Sequence, residues 1–238
     1  MSGHSKWANI KRKKEVTDKA KGAAFAKLSR LITLSVIEGG HEGNPDHNFK
    51  LRLTIEKARA MNMPKENIQR AIEKGTGEDK HSLKEVMYEG FAPHGVAILI
   101  HATTDNPNRT VNEIKNCFEQ HGGKLGSLHS VAYLFRHCAK ITFDRTENGE
   151  EDVFEFAQSL KAIDFDEDEN SYYVYIPFEL FGRIKEHLLK VKPRSTEILF
   201  KPQATVPQAD EGEARRVGEL VESLEELDDV HQVYSNRE

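Results

Sequence analysis

The chain has 238 residues, of which 37% are hydrophobic and 31% charged, and its formal net charge is −5. Its longest apolar runs, such as 96–100, are far shorter than the roughly 20 residues that a membrane-spanning helix needs, and residues 1–30 lack the apolar core of a secretory signal. The two cysteines, Cys117 and Cys138, have no metal-ligand spacing. These features predict a soluble, cytoplasmic protein of more than one domain with reduced thiols.

Charge is distributed unevenly along the chain. Residues 1–80, here called the head, carry 17 Lys and Arg against 10 Asp and Glu, whereas residues 81–238, the body, carry 17 against 29. A dense cationic surface attracts phosphate backbones, and an acidic one repels them. The sequence therefore predicts that the head leads an oriented encounter with a nucleic acid.

Apolar residues at spacings of three and four predict three helices in the head. The first runs from Thr17 to the Gly39-Gly40 pair, and the second begins with Asn44 as its N-cap. The third opens at Pro64 and stops at Gly75. Their narrow apolar stripes predict a small three-helix bundle.

From about Leu83 the apolar period changes to two, which indicates strands. Turn residues and a return of the helical period then predict an alternation of strands and helices, with the acidic run 164–169 as a solvated loop. Strands are predicted around 86–91 and over 96–104, 131–135, 140–143, 172–176, 198–201 and 230–234, and helices over 110–121, 153–161, 178–189 and 211–226.

These elements predict an α+β fold of three domains, in which the helical bundle is followed by two α/β sandwiches of ferredoxin-like type. The first sandwich is short of one helix and one strand, which the C-terminal helix and strand could supply. The predicted domains are then residues 1–80, residues 81–133 together with 206–238, and an inserted domain at 134–205.

The strongest candidate site is the basic surface of the head. Its N-terminal segment combines consecutive cations with a single tryptophan, which could neutralise phosphates and stack on an exposed base. The predicted nucleic-acid-binding residues are Lys6, Trp7, Lys11, Arg12, Lys13, Lys14, Lys19, Lys21, Lys27, Arg30, Arg52, Lys57, Arg59, Lys65, Arg70 and Lys74. The alternative is a solubilising tail with Trp7 packed against the bundle.

Other motifs give weaker predictions. The second and third helices resemble a helix-turn-helix, for which Lys65, Asn67 and Gln69 would offer base-reading side chains. Asp105 and His121 would form an acid–base pair only by spatial accident, and the Gly-rich stretch 122–126 lacks phosphate-loop spacing. The sequence predicts no cofactor, no metal and no catalytic residue.

Several segments resemble the YebC/PmpR family across essentially the whole chain. They are GHSKWANIKRKK, KLRLTIEKARAMNMPKENIQRAIEKGTGE, YEGFAPHGVAILI, TDNPNRT and HGGKLG. The resemblance implies a helical first domain and two α/β domains, with the second domain completed by the C-terminus. It also implies either a DNA-binding transcriptional regulator or, by likeness to mitochondrial translational activators, a ribosome-associated factor that helps synthesis through polyproline stretches.

We therefore expect a cytoplasmic, non-enzymatic regulator of gene expression that binds nucleic acid through its head. Promoter DNA and ribosomal or transfer RNA remain open as targets. A metal-dependent hydrolase built on Asp105 and His121 is a third hypothesis from a different class. The sequence does not decide the oligomeric state.

Overall fold

The computed structural model describes residues 3–77, 83–207 and 211–237, and for residues 3–20 it describes the backbone alone. Its fold is α+β with three domains, as predicted. The head is a bundle of helices α1 (Gly3–Glu38), α2 (Phe49–Ala60) and α3 (Lys65–Thr76). Their apolar stripes meet in one core, formed by Leu28, Ile32, Val36, Leu51, Ile55, Ala58, Met63, Ile68 and Ala71.

Helices α1 and α3 pack closely because Gly75 has no side chain. A Cβ at this position would lie 2.6 Å from Val36 Cβ and 2.8 Å from the carbonyl oxygen of Thr33. Thr33 Oγ1 also donates a hydrogen bond to the carbonyl oxygen of Ala71 at 2.9 Å. Gly75 was predicted to stop the third helix, but it lies inside α3, which continues to Thr76.

The start of α2 differs from the prediction. Asn48, not Asn44, is the N-cap, and its Oδ1 accepts a hydrogen bond from the Leu51 amide at 3.0 Å. Its Nδ2 donates to the carbonyl oxygen of Ser35 in α1 at 2.8 Å. Nδ2 also donates to the carbonyl oxygen of Glu42 at 3.1 Å, so the amide of the buried Asn48 is satisfied and its bond to Ser35 joins the two helices.

The middle sandwich contains β1 (Lys84–Phe91), β2 (Ala97–Thr104), α4 (Pro107–Gln120) and β3 (Lys124–Leu125). The C-terminal α7 (Glu211–Glu226) and β8 (Val230–Ser235) join the same unit, and the sheet order is β3-β1-β2-β8. All pairings are antiparallel. Helices α4 and α7 cover one sheet face, where the buried residues are Ala92, Val96, Ile98, Ile100, Ala102, Ile114, Phe118, Val217, Leu220, Leu224 and Val230.

The inserted sandwich lies between β3 and α7 in the chain. It comprises β4 (Phe135–Asp144), α5 (Glu150–Ser159), β5 (Asp164–Glu167), β6 (Ser171–Pro177), α6 (Ile184–His187) and β7 (Pro193–Pro202). The antiparallel sheet has the order β5-β6-β4-β7, which is the ferredoxin-like arrangement. The boundaries 1–80, 81–133 with 206–238, and 134–205 stay a prediction.

In two segments of the body the predicted strand assignment is wrong. Residues 131–135 were predicted as a strand, but the amides of Val131 and Ala132 each donate to the Glu89 carboxylate at 2.7 Å, and residues 132–134 form a 3-10 turn. Residues 164–169 were predicted as a loop, but residues 164–167 form β5, whose backbone pairs with β6. Charged side chains are common on such exposed edge strands.

The predicted helix 178–189 is also wrong in type. Residues 178–183 form a 3-10 helix, and only Ile184–His187 is α-helical. Because residues three apart eclipse in a 3-10 helix, Phe178 and Phe181 lie on the same side. Their rings stack at 6.3 Å, Phe178 stacks on His137 at 4.0 Å, and Phe181 meets Phe49 of the head at 4.7 Å.

Candidate nucleic-acid interface

The predicted site residues fall into two groups by what the structure describes. Lys6, Trp7, Lys11, Arg12, Lys13, Lys14 and Lys19 belong to α1 by their backbone, and their side chains lie outside the described residues. The side chains of the other nine are described.

Six of these nine side chains lie fully on the surface of the head: Lys21, Lys57, Arg59, Lys65, Arg70 and Lys74. Within the part of the chain described with side chains, none of the six forms an ion pair with a carboxylate. Arg52 is half-buried, and its guanidinium lies 5.2 Å from the centroid of the Phe49 ring. This surface has unneutralised positive charge of the kind that phosphates bind.

Lys27 and Arg30 have a different environment. Lys27 Nζ donates a hydrogen bond to the carbonyl oxygen of Glu225, at the end of α7. Arg30 Nη1 donates to the carbonyl oxygen of Asp228 at 2.6 Å and to Asp229 Oδ1 at 2.8 Å. These two cations therefore join the head to the middle sandwich.

Asp229 is the centre of this junction, and the sequence analysis did not single it out. Only 3% of its side chain is exposed. Its Oδ2 accepts hydrogen bonds from Arg109 Nη2 and Thr110 Oγ1, both at 2.7 Å. Burial opposes ionisation of Asp229, but hydrogen bonds from Arg109, Thr110 and Thr104 outweigh it and lower the pKa of the carboxyl. Two residues of the TDNPNRT segment, Arg109 and Thr110, thus bind the same carboxylate that pairs with Arg30.

A second junction involves Lys50 of α2. Its Nζ lies 2.6 Å from Glu38 Oε2 and 3.0 Å from Glu85 Oε2 in β1. Glu85 also makes a hydrogen bond with His101 Nε2. The His101 hydrogen bond is the main cause that lowers the pKa of Glu85 to about 2. The head is therefore fixed to the middle sandwich at two separate places.

A cleft of about 650 Å³ opens beside the Asp229 junction. Helix α1 forms its floor, α3 forms one wall, and residues around the start of α4 form the other. Its lining residues are Gly22, Phe25, Ala26, Ser29, Arg30, Thr33, Asn67, Arg70, Ala71, Lys74, Leu83, Asp105, Arg109 and Asp229. Four cationic side chains therefore lie on one concave surface: the predicted Arg30, Arg70 and Lys74, and the newly found Arg109.

The weaker motifs do not assemble into sites. Asp105 and His121 lie at opposite ends of α4, which at 1.5 Å per residue separates them by about 20 Å. Asp105 pairs with Arg109 at 3.1 Å, while His121 lies 3.3 Å from Ser223 Oγ. The acid–base pair of the hydrolase hypothesis is therefore not formed. Among the described residues, no group of three or more His, Cys, Asp or Glu is arranged to hold a metal ion.

His231 of β8 lies at the head–body junction with neither ring nitrogen hydrogen-bonded within the described residues. Burial, followed by electrostatic interactions with His101, Lys27 and Arg30, lowers its pKa to about 3. The folded protein therefore holds this imidazole neutral below the ordinary histidine pKa.

This environment predicts acid sensitivity. The pKa of His231 in the folded state is below the unfolded value of 6.5. The contribution of neutral His231 to the free energy of unfolding is therefore fully present above pH 6.5 and is lost as the pH falls toward 3. Over this range, the free energy of unfolding should fall with decreasing pH by up to about 1.4 kcal/mol per pH unit. Urea unfolding at several pH values should show a smaller pH dependence of the free energy of unfolding for His231→Phe than for the wild type. An unchanged slope in His231→Phe would contradict this assignment.

The fold and the cationic surface define a class of protein: a basic helical domain attached to two α/β sandwiches, one inserted in the other. The chain belongs to the TACO1/YebC family. A family model described as the TACO1/YebC protein N-terminal domain matches residues 5–78, and one described as the TACO1/YebC second and third domain matches residues 83–237. The resemblance seen in the sequence motifs is thereby confirmed.

Relatives of similar length support this membership. A protein of Herpetosiphon aurantiacus named probable transcriptional regulatory protein is 44% identical over all of this chain and 95% of its own. A protein of the same name from Aquifex aeolicus is 45% identical, covering all of this chain and 96% of its own. The crystal structure of a conserved hypothetical protein from Aquifex aeolicus matches with a TM-score of 0.79 and 43% identity, over 91% of this chain and 90% of that one. No described helix is long and apolar enough to cross a membrane.

Proposed function

We propose that the protein is a non-enzymatic regulator of gene expression that acts in the cytoplasm by binding nucleic acid. The observation that carries this proposal is the head surface, where six exposed cations make no ion pair with any carboxylate described with its side chain. The body has the opposite charge, with 29 Asp and Glu against 17 Lys and Arg. A phosphate backbone would therefore approach the head first.

Binding of DNA as a transcriptional regulator is the first form of this proposal. It is supported by the names of the relatives, which are called probable transcriptional regulatory proteins. Helix α3 presents exposed Lys65 and Gln69 near its N-terminus, as a recognition helix would.

Binding of RNA, on the ribosome or free, is the second form. The cleft beside Asp229 favours it, because this concave site of about 650 Å³ is within the usual size of a small-ligand site and a flexible single strand enters such a site more readily than a rigid duplex. Sequence-specific RNA recognition commonly uses unpaired strands.

The test compares promoter-length duplex DNA with ribosomes as binding partners, at matched salt of about 0.15 M. Equilibrium binding to labelled DNA and cosedimentation with ribosomes should show at least one complex that weakens as salt is raised. Incubation of each nucleic acid with the protein and Mg²⁺ should yield no cleavage products. The proposal fails if neither partner binds at low salt, and the non-enzymatic part fails if turnover is seen.

A further inference from the structure

The cleft beside Asp229 has two chemically different walls. On the α3 wall, Arg70 and Lys74 lie one helical turn apart, both exposed and both without an ion pair among the described residues. Arg70 Nε donates to the carbonyl oxygen of Glu66 at 3.2 Å, and its Nη2 bonds Asn67 Oδ1. The guanidinium is therefore held in place along the helix, with its charge uncompensated.

The opposite wall is charge-balanced. Arg30 and Arg109 are both bound to the buried Asp229 carboxylate. The Asp105 carboxylate, whose side chain is 59% exposed, lies 3.1 Å from Arg109 Nη2 and has free acceptor capacity toward the cleft. A carboxylate here repels a phosphate but can accept a hydrogen bond from a hydroxyl group.

Between these walls, α1 contributes several small residues to the cleft surface, together with Phe25. Gly22, Ala26 and Ser29 follow the spacing of one helix face and line the cleft. An added Cβ at Gly22 would meet no heavy atom within 4 Å. The cleft therefore has open space at the point where α1 continues toward the cationic segment 6–19.

We propose that this cleft holds the ribose-phosphate backbone of a short single-stranded RNA segment. Arg70 and Lys74 bind its phosphates, and Asp105 accepts a hydrogen bond from a ribose 2′-hydroxyl, the group by which proteins distinguish RNA from DNA. The cleft volume of about 650 Å³ is within the usual range for small-ligand sites, so a short piece of a flexible single strand can enter it. This inference deepens the proposed nucleic-acid binding and rests on it.

The charge test uses labelled single-stranded RNA of about 12 nucleotides, within the usual site sizes for such strands. The double change Arg70→Ala and Lys74→Ala should lower the log-log salt slope by about 1.4, or roughly 0.7 for each lost phosphate contact. The control is Lys115→Ala with Lys185→Ala, which removes the same charge from exposed positions of the body. It should leave the slope unchanged.

A second variant tests the cleft without changing charge. Gly22→Phe should fill the open space and lower RNA affinity about tenfold, the effect of excluding roughly one nucleotide from its contacts. Its fold should persist, since Gly22 is exposed on α1, glycine is a poor helix residue, and an added Cβ at this position meets no heavy atom within 4 Å. Gly182→Phe is the matched control, because Gly182 is exposed on the inserted sandwich with equally open space.

The outcomes separate this inference from the proposed function. If both cleft variants bind RNA like the wild type while replacement of Lys11 to Lys14 weakens binding, the cleft assignment is overturned and the function stands. If the wild-type chain binds no nucleic acid, the proposed function itself fails.

In the wild type, RNA should bind more tightly than DNA of the same sequence, and Asp105→Ala should reduce that difference in affinity. Equal binding of the two strands by the wild type overturns the RNA assignment.

Discussion

Deletion of residues 211–238 is expected to unfold the middle sandwich. The deletion removes α7, whose Val217, Leu220 and Leu224 are buried against the sheet, and β8, which pairs with β2. Burial of each such side chain contributes about 1.5–3 kcal/mol. The three together approach roughly 5–9 kcal/mol, which is comparable with the whole stability of a typical domain. The truncated chain should aggregate or lose one cooperative transition on heating.

Calorimetry of the truncated chain also tests the predicted domain boundaries. If 134–205 is an independent inserted domain, its own transition should survive the deletion. A milder variant, Leu220→Ala, should cost about 2–5 kcal/mol without removing backbone pairing, while Arg216→Ala, on the exposed side of α7, should stay within about 0.5 kcal/mol of wild type. A truncated chain that melts like the full protein would show that the tail is peripheral, against the pairing of β8 with β2.

The fold was predictable wherever a buried face gives a regular apolar period. Helix α7 has the predicted bounds because Val217, Leu220 and Leu224 repeat at three- and four-residue intervals. Strand β2 is buried almost throughout, so its continuous apolar run marks it clearly. Such periods depend only on the residues of the element itself, so they can be recognised without knowing the rest of the fold.

The errors occur where a distant group decides the local structure. Glu89 accepts hydrogen bonds from the amides of His129, Val131 and Ala132, which removes two residues of the predicted strand 131–135 from sheet pairing. Strand β5 is held by backbone bonds to β6 and has little apolar content of its own. Neither the hydrogen bonds to Glu89 nor the pairing of β5 with β6 produces a recognisable pattern in the sequence of the segment concerned.

In the candidate site, too, the locally encoded features could be predicted from the sequence and the long-range contacts could not. Clusters of Lys and Arg are visible in the sequence, and the six exposed cations of the head lie on its surface as expected. The contact of Arg30 with Asp229 spans 199 positions, and Arg109 reaches the same carboxylate across 120. Because no local period links these residues, the junction and the cleft beside it could be found only from the folded chain.

Replacement of Lys11, Arg12, Lys13 and Lys14 by alanine is expected to cause the largest loss of nucleic-acid binding. Backbone positions of an α-helix follow one another at steps of about 100° around the axis, so the sequence predicts that four consecutive charged residues do not share one buried face. Each lost phosphate contact lowers the log-log salt slope by roughly 0.7–0.9, so four remove about 3 units. Binding should weaken similarly across sequences, because phosphate contacts carry no base information.

A matched control separates this effect from a change of net charge. Replacement of Lys115, Lys124, Lys161 and Lys185, all exposed on the body, by alanine removes the same four charges. That variant should keep most of the wild-type salt slope and should unfold within about 2 kcal/mol of wild type, since each exposed change costs at most about 0.5 kcal/mol. Titrations at several salt concentrations, with duplex DNA and with ribosomes, give the slopes. If the head variant binds both partners like the wild type at physiological salt while the body variant loses binding, the basic head is not the contact surface. The body would then carry the interaction despite its excess of carboxylates.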